Sequence, residues 1–313
     1  MKPPALQHAG LVEVVALSHC GGYLFVSTAQ QAWLFTWPGG KLRQTVRLAP
    51  IFDARFKEDG MLALSGARTV TMVGLPHLER RPSAKKVSGT GVPAAVWLYG
   101  DRLVTASLDP ARALLLDFLG NRLATLDVPG AMVFSVATDD RRIAAHGDVL
   151  QVWDDTTLAG VGTGSVHGVR PGYPVNMRFH HNGKPVVGSM PAVFGLDFSP
   201  SGQTLVSAGS DGRVVAWDPA TVTPRVEIDE PVLDYRKVVA LDDQLAYATT
   251  TTGLVRVDLV AGRVDRLVPF QRFRYRWWTP IGLSLSRDRK TLVFGGMHGE
   301  VGVWDLVADR RVG

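Results

Sequence analysis

Two stretches of this 313-residue chain repeat one another. Residues 193–218, VFGLDFSPSGQTLVSAGSDGRVVAWD, read as an alternating apolar strand, a polar turn at Ser199–Gly202, a second strand, a tight turn at Ser210-Asp211-Gly212 and a third strand. Residues 281–305, IGLSLSRDRKTLVFGGMHGEVGVWD, keep that layout almost position for position. A recurring strand unit constrains the fold more than any single motif. One such sheet cannot bury its faces alone, and stacked copies can. The composition agrees. The 33 glycines and 19 prolines have no collagen period and read as punctuation between many short elements, while 46% hydrophobic against 20% charged residues supplies a large core.

Both stretches end in Trp-Asp, at Trp217-Asp218 and Trp304-Asp305, and a third copy stands at Trp153-Asp154. These residues resemble the WD-repeat family, whose unit of about 40–45 residues carries four strands. Weaker copies begin near Val12, Ile51, Pro93, Ala131 and Lys237, with third strands ending at Trp37, Leu75, Asp117, Asp154 and Asp258. The resemblance implies an all-β, seven-bladed propeller of four-stranded blades, one domain over residues 1–313. Trp153 and Trp217 stand 64 positions apart, too far for one unit and too near for two. An insertion of roughly 20 residues therefore falls within about 164–192, by the same repeat length. A second long connection covers 269–280. Ring closure is expected from Ala5–His8 as outer strand of the last blade, with Arg310–Val312 as the competing arrangement.

Ser207, Asp211 and Trp217 match three members of the structural hydrogen-bond tetrad that the resemblance implies. The histidine is missing from its expected place, which holds Gly188-Ser189. His298 replaces the turn aspartate in the seventh unit and is read as structural. His167, His180 and His181 fall in the insertion, yet no Asp, Glu or Cys lies between residues 164 and 192, so no metal site is expected. His180 to Lys184 reads HHNGK, and its Asn-Gly signals a hairpin turn between Val175–Phe179 and Pro185–Gly188.

Catalytic motifs are absent: no G-x-S-x-G, no phosphate loop, no H-E-x-x-H and no dinucleotide fingerprint. The acidic doublets Asp139-Asp140, Asp154-Asp155 and Asp242-Asp243 read as turn carboxylates capping local backbone donors. The inner-strand positions matched to Asp197 are Ala16, Arg55, Trp97, Ser135 and Ser284, which is no ring of metal ligands. No enzyme activity and no cofactor are expected. An enzyme working at the channel mouth is the third and weakest reading.

The net charge of +5 is unevenly placed. Residues 77–91, 164–192 and 269–280 each carry three net positive charges, which leaves the rest of the chain mildly acidic. All three include connections between one blade and the next, and the resemblance implies that these share one face of the disc. The last, PFQRFRYRWWTP, interleaves Arg272, Arg274 and Arg276 with Tyr275, Trp277 and Trp278. These residue types are enriched in interface hot spots. The same alternation also suits an extended segment packed on one side.

With Tyr173, Arg178 and Lys184 of the insertion, this segment is the expected partner-binding surface. The expected function is a non-catalytic scaffold for a protein or peptide. The alternative is nucleic acid, with arginines on phosphates and aromatics on bases. The lone Cys20, in the His19–Gly22 turn, has no cation nearby in sequence to activate it and is expected to be dispensable. One cysteine and no membrane-spanning stretch fit a cytoplasmic protein with no membrane partner.

Overall fold

A computed structural model describes residues 11–47, 51–57, 60–66, 70–75, 78–80, 96–99, 102–108, 111–117, 120–129, 133, 135–168, 177–181, 184–188, 193–231, 233–270, 281–296 and 299–312. Among them are seven antiparallel four-stranded sheets, each built from one contiguous stretch with its strands in sequence order. These sheets are the blades. Their first strands are Val14–Leu17, Ile51–Phe56, Val96–Tyr99, Ser135–Thr138, Val193–Phe198, Tyr235–Ala240 and Leu283–Leu285.

Each first strand packs against the first strand of the next blade, and that of blade 7 packs against that of blade 1. The all-β, seven-bladed propeller read from the sequence is therefore the fold. Third strands end at Thr36, Gly74, Asp117, Asp154, Asp218, Asp258 and Asp305, within one residue of the expected positions.

Strand alternation explains the closure. Leu205 and Trp217 face blade 4, whereas Val206 and Ala216, one residue along, face blade 6. Successive side chains of a strand point to opposite faces, so each blade has two apolar faces and fills two seams. Among the described residues there are seven apolar clusters, one in each seam of the ring. Polar staples reinforce the seams. Arg102 of blade 3 donates to Asp155 of blade 4 at 2.9 Å, Ser135 donates to the carbonyl of Val193 at 2.9 Å, and Arg289 of blade 7 donates to the carbonyls of Ala240 and Leu241 at 2.7 and 2.8 Å.

Three expectations need correction. The outer strand of blade 7 beside Trp304-Asp305 is Arg310–Arg311, not Ala5–His8, which lie outside the described residues. The cause is local. Asp305 caps the amides of Val307 and Ala308 at 2.9 Å each, Trp304 Nε1 donates to Asp309, and the chain folds straight back onto its own third strand. The blade 4 position matching Asp197 is Ala137, not Ser135, because Asp197 lies in register with Val206 and Ala216, one residue before Trp217, as Ala137 does with Ala144 and Val152, one residue before Trp153. The insertion hairpin pairs Met177–His181 with Lys184–Gly188, so its strands run closer to the Asn-Gly than Phe179 and Pro185, and it forms a two-stranded sheet outside the blades.

Candidate functional site at the blade 4 to blade 5 junction

Ser207 lies on the second strand of blade 5, Asp211 in the turn after it and Trp217 near the end of the third. All three are buried, and the tetrad they belong to is complete. Its histidine is His167. The Asp211 carboxylate can only accept, so Nδ1 of His167 donates to it, at 3.1 Å from either oxygen. The opposite ring nitrogen then accepts from the Ser207 hydroxyl at 2.8 Å, and the same hydroxyl accepts from Trp217 Nε1 at 2.8 Å. Burial pushes the Asp211 carboxyl up. The His167 hydrogen bond and the amides of Arg213 and Gly168 outweigh it and hold the group below the ordinary carboxylate range.

The sequence reading placed His167 inside the insertion and looked for the histidine at Ser189, which lies outside the described residues. The insertion is the reason for the error. It enters between the histidine and its inner strand, so His167 stands 50 positions before Trp217. The detour therefore begins after Gly168 rather than at Gly164, which closes the outer strand of blade 4.

Both feet of the detour are held by blade residues. On the outgoing side the Gly168 amide donates to Asp211 at 3.2 Å and Arg213 donates to the Val166 carbonyl. On the returning side Val193 accepts from Ser135 and pairs with Gly209. A second buried histidine, His146 of blade 4, sets its ring edge-on to His167 at 5.2 Å. Burial, and after it the His167 ring, push His146 down to about 3, so it is neutral at ordinary pH. Both His167 nitrogens are engaged, and the arrangement anchors rather than transfers protons.

The expected partner surface is placed only in part. Arg178 and Lys184 fall on the two hairpin strands. Tyr173, Arg272, Arg274, Tyr275, Arg276, Trp277, Trp278 and His298 lie outside the described residues. One member of each acidic doublet caps its turn as read, whereas Asp155 and Asp243 instead accept from Arg102 and Ser201 of neighbouring blades. Asp139 caps Arg142 at 2.8 Å, Asp154 caps Thr157 at 2.7 Å and Asp242 caps Leu245 at 2.8 Å.

Cys20 is exposed, and its neighbour is a hydroxyl rather than a cation. The Ser18 hydroxyl at 3.3 Å holds its thiol below the ordinary range.

The channel holds charges of both signs. Asp53 and Arg55 of blade 2 face Lys237 of blade 6 and Asp197 of blade 5, and Lys237 forms an ion pair with Asp53. Asp197 accepts from the Ala240 amide at 2.9 Å, while its other carboxylate oxygen is buried without a partner. Burial pushes Asp197 up to about 6 against the opposing pull of Arg55, the Ala240 amide, Arg289 and Lys237. Among the described residues no group of three His, Cys, Asp or Glu side chains could hold a metal, and no helix is long and apolar enough to cross a membrane.

The fold and the tetrad define a β-propeller with a WD-type blade. The family model for the WD domain, G-beta repeat, matches residues 186–218. That match covers three strands of blade 5 and begins after His167. The comparison with curated proteins finds no match.

Proposed function

We propose that this propeller is a non-catalytic binding platform that takes a protein or peptide on the face where its blade-to-blade connections emerge. The principal contact element is the detour between Gly168 and Val193, with Tyr173, Arg178 and Lys184, joined by Arg272–Trp278 of the later connection. The reading includes a cytoplasmic setting for the single cysteine. It rests above all on the hairpin Met177–His181 with Lys184–Gly188, which joins none of the seven blades yet springs from a foot tied into the buried tetrad. A connection longer than about 12 residues in a compact domain is usually functional or disordered, and a ring of blades needs only a few residues to pass from one to the next. Blade 5 reaches blade 6 with a short link, Glu230 to Asp234.

Replacing residues 171–190 by a short Gly-Ser link tests the reading. Affinity capture with mass spectrometry, with and without nuclease, should recover a protein partner on the intact chain and lose it on the shortened one at nearly unchanged melting temperature. A partner held equally by both chains would overturn the proposal. Binding that collapses by about 10³-fold or more between 50 and 200 mM salt and disappears with nuclease would replace it with the nucleic-acid reading.

A further inference from the structure

We propose that the Asp53–Lys237 ion pair is a clasp that holds the ring shut across the seam between blades 7 and 1. The two residues are 184 positions apart and sit in blades 2 and 6. Each is the third residue of a six-residue first strand, so the pair lies at one level of the channel and crosses it. Blades 6 and 7 stand on one side of the 7/1 seam, and blades 1 and 2 on the other. The pair therefore joins the two blades placed symmetrically about that seam.

The seam is the place where such a tie matters. The polypeptide itself links every other neighbouring pair of blades, whereas blades 7 and 1 are joined by non-covalent contacts alone. Among the described residues those contacts include an apolar cluster to which blade 7 gives Val293 and Val301, the Val12 amide on the Gly296 carbonyl at 3.0 Å, the Gly282 amide on the Val12 carbonyl at 3.5 Å, and the Leu17 amide on the Ser284 hydroxyl at 3.1 Å. Gly282 allows the close approach there, since a Cβ on it would stand 2.6 Å from the Val15 nitrogen. No strand is exchanged to lock the seam at the outer edge beside Trp304-Asp305, which Arg310–Arg311 occupies.

The channel at the level of the pair leaves few alternatives for either charge. Val14, Ser135, Gly195 and Gly282 stand three positions before the ends of their strands, as Asp53 and Lys237 do, and none is charged. The Asp53 and Lys237 side chains are only 4% and 16% exposed. Neutralising Asp53 alone would leave the Lys237 ammonium largely cut off from water with only the more weakly acting Asp197 carboxylate opposite it, which ordinarily costs more than the pair itself contributes. The other charged groups that act on Lys237 are Arg55 and Asp197, and Arg289 acts in turn on Asp197. Arg55 lies 3.8 Å from Asp53, and Arg289 is tied to the Ala240 and Leu241 carbonyls. Burial draws Lys237 below the ordinary lysine range, and Asp53 is the foremost group opposing that pull.

The decisive experiment is native-state hydrogen exchange on Asp53→Asn/Lys237→Met, which removes the tie without leaving a lone member of the pair charged. A clasp predicts that amides of Val14–Leu17 and Leu283–Leu285 exchange at least about tenfold faster. Those of Ser135–Thr138 and Val193–Phe198, on the far side of the ring, should change less than about threefold. Restoration of seam protection in the exchanged pair Asp53→Lys/Lys237→Asp would support the clasp. Wild-type exchange at the seam in the neutral double variant, or equal acceleration all round the ring, would overturn it. If the neutral double variant does not fold, the exchanged pair decides. A folded, seam-protected exchanged pair supports the clasp, and failure of both to fold makes the pair a general requirement of the ring and overturns it.

Discussion

His167 shows how one side chain can serve two neighbouring structures. Its ring is fixed by Asp211 and Ser207 of blade 5, and its backbone opens the path to the hairpin. His167→Ala would leave a buried carboxylate and a buried hydroxyl each short of a partner. By the usual cost of buried unsatisfied groups, it should lower unfolding free energy by about 3 kcal/mol. Trp217→Phe removes the Nε1 donor to Ser207 and leaves a small cavity in place of part of the buried indole, so about 2 kcal/mol is expected. Urea unfolding of the two variants checks both values, and equal losses would mean that the indole packing, not the network, matters at this site.

Within elements, the tetrad depends on the end of a strand. Gly209 closes the second strand of blade 5, and a Cβ there would stand 2.6 Å from Asp211 Oδ1 and 2.9 Å from His167 Nδ1. Gly209→Ala should therefore destabilise the protein by about 1–3 kcal/mol, the usual cost of overpacking. A thermal melt of this variant beside His167→Ala should also show non-additivity in the double variant, because both changes break one network.

The strands, the blade count and three tetrad members were legible from the sequence, because alternation and Trp-Asp endings are local signals. The fourth member was not. Twenty-odd residues separate His167 from the inner strand beside which it works, and the usual spacing carried no trace of it. The C-terminal outer strand was misread for a related reason. Arg310–Arg311 has no apolar alternation, and what folds it back is capping by Asp305 together with the hydrogen bond from Trp304 Nε1 to Asp309. The channel pair was invisible, since no sequence pattern relates positions 53 and 237 until seven blades have been placed in a ring.

At the scale of the whole molecule, several buried carboxylates give stability an unusual dependence on pH. Burial pushes Glu13 up to about 7 and both Asp197 and Asp234 up to about 6, above ordinary values of 4.5 and 3.8. Between these limits the native state holds more protons than the unfolded chain, so these groups make stability fall as pH rises from about 4 to 7. Asp211, whose pKa is lowered, contributes above pH 3.8 and is lost only below it. Asp197→Asn should accordingly flatten the decline in unfolding free energy between pH 5 and 7 relative to the parent chain. Parallel profiles for the two proteins would remove Asp197 as a source. Each blade is also one contiguous run of sequence, which bears on how the protein is made. Strand pairing within a blade needs only partners a few residues back along the chain, so sheets can form in order as synthesis proceeds. The face of blade 1 that packs on Val293 and Val301 must wait until about 280 further residues have been made. An exposed apolar face waiting on blade 7 is the form in which nascent chains aggregate or recruit chaperones, and joining blade 7 to blade 1 becomes the slow, length-dependent step of folding.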